Sequence, residues 1–171
     1  MKAVFMSIKP KWCELIASEK KTVEVRKNKP NLETPFKVYI YCTKDNTFAE
    51  KTLRGFDDSG NAIYYKANKG KVIGEFVCDR IVQFENSLYD EALEETVVRS
   101  CVPMDDLLVY LGKQDYGYGW HITDLVIYDK PRELGEFRKP LMPTGLRYED
   151  DAITRPPQSW CYVERSESDG I

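Results

Sequence analysis

Lys21, Glu24 and Arg26 fall inside the ten residues "SEKKTVEVRK" (18–27), wrapped around Val23 and Val25. Two cations flanking a carboxylate can hold an anion or a nucleobase. The ammonium and guanidinium contact phosphate or a base edge, while the carboxylate accepts from an exocyclic amine or aligns the arginine. The plainer alternative is a charged strand whose Glu24–Arg26 pair is solvated and contributes roughly 0–1 kcal/mol. Strand alternation puts Thr22, Glu24 and Arg26 on one face and Lys21, Val23, Val25 and Lys27 on the other.

Further residues could join such a pocket. Lys9 stands before Pro10, at the start of a helix that would open the mouth of the cleft. Trp12, Tyr41 and Trp120 are aromatic surfaces on which an unpaired base could stack, worth about 1–3 kcal/mol. His121 is the single histidine; inside "GWHITDL" it reads first as a hydrogen-bonded core residue and second as a proton-transfer group. The carboxylates of "YDEALEE" (89–95) and "MDDL" (104–107) read as helix surface and as partners of helix N-terminal dipoles. Five cysteines at wide spacings, without a CxxC pair, support neither a disulfide framework nor a zinc cluster, so reduced and mostly buried thiols are expected. No metal and no cofactor is expected.

The elements that must position these residues are mostly strands. "AVFMSI" (3–8) is a short apolar strand, and Pro10 opens a helix through "PKWCELIASEK" with Trp12, Leu15 and Ile16 on its apolar face. "KTVEVRK" is the next strand, and "PFKVYIYCT" (35–43) is strongly β-prone. Turn residues in 56–70 indicate an insertion or hairpin. One long strand is expected over 71–85, with Gly74 at a bulge. A helix over 103–113 closes at Gly112, a strand pair or one bent strand follows over 119–131, and "PPQSWCYVE" (156–164) forms a last strand before a frayed "SESDGI". Glycine-curled strands with short flanking helices predict an α+β domain built on a partly closed β-barrel; a doubly wound parallel sheet would need a strand–helix alternation that is missing.

Composition sets the outer bounds. A chain of 171 residues suits one domain, and its charged and apolar fractions exclude a disordered chain. No apolar run approaches the roughly 18 residues of a spanning helix, and "MKAVFMSIKPKW" is too short in apolar residues for a signal peptide, so a cytoplasmic protein without membrane contact is expected. Residues 1–30 carry eight cations against three carboxylates, whereas 85–115 carry eight carboxylates against two cations. One basic face on an acidic protein suits a localised anion better than coating of a long duplex; two solvated surfaces are the alternative.

The run "SIKPKWCELIASEKKTVEVRK" resembles the opening of ASCH domains, a branch of the PUA-like superfamily, whose signature is GxKxxExR after a strand and a helix. Here Lys21, Glu24 and Arg26 match, and Glu19 replaces the glycine. "FKVYIYCTK" is similar to the family's second core strand, which ends in a small hydroxyl residue and a lysine, here Thr43 and Lys44. "GYGWHITDLVIYDKP" resembles its late tryptophan strand. The resemblance covers about residues 3–131. It implies a domain over 1–131 and, over 132–171, a C-terminal extension packed on that domain, of the kind some bacterial and phage-borne members carry.

What the resemblance implies about function is RNA or modified-nucleotide binding in a cleft beside the signature strand, with Lys9, Trp12, Lys21, Glu24, Arg26, Tyr41, Thr43, Lys44 and Trp120 as its lining. Enzymatic alternatives use the same cleft. An amidohydrolase branch acts on acetylated cytidine with a lysine, a threonine and a distant glutamate. In this chain Lys21 is present, Glu24 stands in the threonine's place, and Glu75 in "VIGEF" is the candidate for the distant carboxylate. A carboxylate does not replace an alcohol nucleophile in forming an acyl-enzyme. A ribonuclease would use Lys21 and Arg26 against the phosphorane, with Glu24 or His121 moving the proton. A third class, an adaptor that buries its aromatic surface against a protein, would leave the charged residues idle. Trp160 and Cys161 are assigned to structure, and Arg138 and Lys139 either extend the basic face or lie on an exposed loop.

Overall fold

In the computed structural model the described residues are 1–46, 51–56, 58–66, 68–87 and 90–165; the side chains of 51–55 and 63–66 are outside the description. The expected frayed end, 166–171, lies outside it too. Strand β1 (Lys2–Ile8) leads into helix α1 (Pro10–Ala17), which starts at Pro10 as the fixed proline φ predicts. β2 (Val23–Arg26) and β3 (Phe36–Cys42) follow, then a two-stranded hairpin of β4 (Lys51–Phe56) and β5 (Ala62–Lys66). β6 (Lys71–Cys78), β7 (Ile81–Glu85), α2 (Glu91–Ser100), α3 (Met104–Leu111), β8 (Tyr116–His121), β9 (Thr123–Arg132) and β10 (Trp160–Glu164) complete an α+β chain.

The strands form a five-stranded sheet, β10-β1-β3-β6-β9, and a three-stranded sheet, β2-β8-β7, beside the hairpin. Among the described residues no ladder closes them into one ring. The long strand expected over 71–85 is instead two strands: the chain breaks at Asp79–Arg80, so β6 and β7 belong to different sheets. The region 119–131 resolves the same way, into a strand pair, with β8 in the smaller sheet and β9 in the larger. Both crossings turn the corner between the sheets, and the His121 N–H donates to Arg80 O (3.0 Å) where they meet. Gly74 sits at the expected irregularity, where both neighbouring ladders shift register. A Cβ there would lie 2.3 Å from the Val126 carbonyl oxygen, so close approach of β9 requires glycine.

Alternation gives the large sheet two buried faces. Val4, Met6, Val38, Ile40, Phe76 and Trp120 belong to the cluster shared with α1 and the small sheet. Phe5, Tyr39, Tyr41, Phe137, Ile153 and Val163 form the cluster on the reverse face, so residues beyond 132 contribute core side chains there. A third cluster joins Val25 and Phe84 to Leu93, Leu107 and Leu111 of α2 and α3.

Two helix ends carry testable chemistry. After α1 the Glu19 N–H donates to Ile16 O (2.8 Å) and the Lys20 N–H to Leu15 O (3.0 Å), the paired bonds of a Schellman turn. Glu19 therefore sits at φ 57°, the left-handed conformation that the signature's glycine would adopt without a Cβ penalty. Glu19→Gly is expected to stabilise the protein by about 1 kcal/mol, read as a higher urea midpoint at unchanged m; a neutral or lower midpoint would show that the turn is not strained. At α2, Asp90 accepts from the N–H groups of Glu85 (2.5 Å) and Ala92 (2.7 Å). The Glu85 N–H above all, opposed by desolvation and helped by Ala92, holds this carboxyl below its usual range. Because the folded-state value is the lower one, its stabilisation is complete above the unfolded value of about 4 and disappears as pH falls below it. Asp90→Ala should cost about 1 kcal/mol at pH 7, and that gap should narrow progressively in denaturation curves run below about pH 4, closing as pH falls through the lower folded-state value.

Candidate functional site

β2 is buried along its whole length, and its charged residues and the Lys21 that precedes it are buried too: Lys21 is 2% exposed, Glu24 4% and Arg26 9%. Glu24 Oε1 lies 2.6 Å from Arg26 Nη1, and Oε2 lies 3.3 Å from Lys21 Nζ. Lys21 Nζ also donates to Ser100 O (2.8 Å) and stands 5.1 Å from the centre of the Trp12 ring. Arg26 donates to the carbonyls of Ser7 (2.8 Å) and Val25 (3.1 Å). The expectation that Lys21 points away from Glu24 is corrected here. The strand begins only at Val23, so alternation does not reach back to Lys21, and the Schellman turn swings its side chain onto the Glu24 side.

Burial depresses the Lys21 pKa, and attraction to Glu24 only partly offsets it. Two basic side chains share one carboxylate away from water. Among the described residues three buried polar atoms lack a hydrogen-bond partner: Glu24 Oε2, Arg26 Nε and Trp120 Nε1. Oε2 has its contact with Lys21 but no aligned donor. Glu24 is the register partner of Trp120 and Arg26 that of Tyr118, so these four side chains share one face of the β2–β8 pair. An unpaired acceptor and two unpaired donors on one face match the edge of a planar polar molecule.

The fold as a whole is similar to solved structures. The ASCH protein of Zymomonas mobilis aligns over 97% of this chain and 90% of its own, with a TM-score of 0.63 at 18% identity. The chain has the ASCH fold. Two single-substitution variants of that protein, one Tyr to Phe and one Ser to Ala, align similarly: TM-scores of 0.61 and 0.62, each at 18% identity, over 96% and 95% of this chain and 92% and 89% of theirs. Neither family models nor curated proteins gave a match to the sequence.

Within the ASCH fold the other candidates divide. Trp12, half-buried, lies against Lys21 and under Lys11 Nζ (4.5 Å), and exposed Lys9 caps the helix that carries it. Thr43 follows β3 and donates its N–H to Ile8 O (2.9 Å), next to Lys9; exposed Lys44 runs along Gly70 instead. Tyr41 is not brought to the triad: it is 3% exposed in the reverse-face cluster, 5.8 Å from Phe5, because alternation along β3 turns it away. Trp120 faces the triad but is wholly buried between Phe36 and Trp160, so it offers an N–H rather than a stacking surface.

The candidate catalytic partners lie elsewhere. Glu75 is on the reverse face with Tyr39, accepting from Lys37 (2.6 Å) and from the Tyr128 hydroxyl (2.5 Å). His121, one residue from Trp120, points to the opposite face and pairs with Asp79 at 2.6 Å. Desolvation raises the Asp79 pKa, yet the His121 bond and charge outweigh it and leave the carboxyl low. Among the described residues no cluster of His, Cys, Asp and Glu is arranged to hold a metal. All five cysteines are free; burial, then Cys42, pushes the Cys13 thiol next to the triad well above its ordinary value, which keeps it neutral.

Residues without a sequence signal complete the surroundings. Tyr110 of α3 reaches Arg26, and desolvation raises its pKa against the pull of that guanidinium. Lys27 Nζ sits 5.2 Å over the same ring. A lone tyrosine on the polar side of a short helix gives no clue to this in the sequence. Arg138 and Lys139 belong to the segment after β9: Arg138 pairs with Asp151 (2.5 Å) and Lys139 donates to Asp150 O (2.9 Å).

Proposed function

We propose that the protein binds RNA, or a modified nucleotide within it, through the pocket of Lys21, Glu24 and Arg26. The observation that carries the reading is the trio of buried polar atoms that make no hydrogen bond, on one strand-pair face beside two buried basic side chains. Glu24 Oε2 would accept from an exocyclic amine, while Arg26 Nε and Trp120 Nε1 would donate to ring nitrogen or carbonyl. Phosphate would face the two basic side chains. A base on this edge recovers the desolvation cost of groups that are otherwise buried without partners. We read the two sheets as a partly closed barrel of the PUA-like kind, with the pocket beside its signature strand, in a domain over 1–131 on which residues 132–171 pack. Five free thiols suit a reducing cytoplasm.

Binding without turnover is the preferred form, because Glu75 and His121 lie on other faces, the triad holds no alcohol, and the adjoining Cys13 stays a protonated thiol with no thiolate to act as nucleophile. The test is fluorescence anisotropy with single-stranded RNA and competition by nucleoside monophosphates, on wild type and Arg26→Gln, with mass spectrometry of the mixtures. Saturable binding that falls at least tenfold in the variant, with substrate intact, supports the reading. A product that depends on Lys21 replaces it with an enzyme, and absence of any binding refutes it.

A further inference from the structure

We infer that the loop after β2, residues 27–35, forms with β10 a track for the single-stranded RNA that flanks the pocket; this rests on the nucleotide reading of that pocket. Four positions of the loop each meet a different aromatic side chain. Lys27 Nζ lies over Tyr110 (5.2 Å) and Lys29 Nζ over Tyr118 (5.8 Å). Asn28 Oδ1 accepts from Trp160 Nε1 (2.8 Å), and the Asn31 N–H donates to the Tyr162 hydroxyl (2.7 Å). Four consecutive steps of extended chain span at most about 14 Å, so all four rings are gathered within a few nucleotides of one another.

The arrangement adjoins the triad of the proposed pocket through Trp120. Trp160 is 5.8 Å from Trp120 and 5.4 Å from Tyr162, so the rings run from the buried pocket wall out to the surface. Lys27, Asn28, Lys29 and Tyr110 are exposed, and among the described residues no carboxylate pairs with either ammonium. Rings carrying unneutralised ammonium groups are what a single strand uses: bases stack on the rings and the ammoniums turn to phosphates. Two of the four rings come from β10, which gives the segment beyond 132 a part in recognition as well as in the core.

The experiment uses a fluorescein-labelled single-stranded octanucleotide RNA, its duplex, and unlabelled nucleoside monophosphates, with wild type, Lys27→Ala/Lys29→Ala and Tyr110→Ser. All substituted side chains are exposed, and circular dichroism verifies folding. The double variant should lose octamer affinity about tenfold and show a salt slope shallower by about 1.4, the value for two phosphate contacts on a single strand, with mononucleotide affinity unchanged. Tyr110→Ser should cost the octamer roughly tenfold, and the duplex should bind more weakly than the single strand. Unchanged octamer affinity and slope in the double variant would overturn the track, as would a duplex that binds as well as the single strand. If mononucleotides do not bind wild type while octamer binding still depends on Lys27 and Lys29, the pocket reading fails and the track stands.

Discussion

Glu24→Ala should be among the most destabilising single changes in this protein, costing about 3–5 kcal/mol. The carboxylate is the common partner of two buried cations, 3.3 Å from Lys21 and 2.6 Å from Arg26, and its removal leaves them facing each other with only backbone carbonyls for compensation. For a chain of this length the loss corresponds to a melting temperature lower by roughly 10 °C. Glu24→Gln, which keeps an acceptor for Arg26 without the charge, should fall between. Replacing all three residues by apolar side chains of similar volume should restore much of the stability, since the pair's attraction mainly offsets its own desolvation. Urea denaturation of the three proteins checks the series. A loss under about 1 kcal/mol in Glu24→Ala would mean that the pair is solvated and behaves as a surface contact.

Trp120 gives the second large effect, and its two substitutions should behave differently. Trp120→Ala removes a wholly buried indole that contacts Phe36 and Trp160, and should cost about 3–5 kcal/mol. Trp120→Phe also deletes the indole N–H, but that donor has no partner in the protein, so no hydrogen bond is lost and the desolvation penalty goes with it. The Phe variant should therefore stay within about 1.5 kcal/mol of wild type, as a volume-reducing aromatic swap. Its binding of nucleoside monophosphates should drop about tenfold, the value of one hydrogen bond to a ligand. Thermal melts with parallel binding titrations decide it: a fully stable, fully binding Trp120→Phe would remove the indole from the site.

Local signals in the sequence were legible where a single residue type dictates geometry. Pro10 begins α1, Gly112 ends α3 and Gly74 marks the bulge, because each acts through its own backbone. Residues 71–85 read as one strand because their apolar residues continue past Asp79–Arg80; the break is a corner between sheets, decided by tertiary pairing that no short-range pattern encodes. The α+β class followed from the density of short strands, whereas closure into a ring depends on which edges pair. At the site, the residue types of Lys21, Glu24 and Arg26 were visible and their burial was not: a charged strand reads as solvated until the partners that cover it are known. Lys21 was placed on the wrong side by extending alternation two residues before the strand starts. Tyr41 and Trp120 were grouped as stacking surfaces by type alone, and β3 alternation and packing separate them. Trp160 reads as structural, and its contact with Asn28, 132 residues away, has no trace in the chain's local pattern.

The outer neighbour of β1 in the large sheet is β10, with Lys2 opposite Glu164. β1 thus waits for β10, which is made about 10–30 s after it at ordinary elongation rates. Through that interval an uncharged edge, "AVFMSI", can pair with β3 on one side only. Such an edge is a template for other chains, and its closure is among the most non-local contacts the sequence allows, so it belongs to the slow end of folding. Yield from expression should therefore depend on temperature and chaperone supply more than equilibrium stability would suggest, with β1 as the segment that chaperones must keep apart.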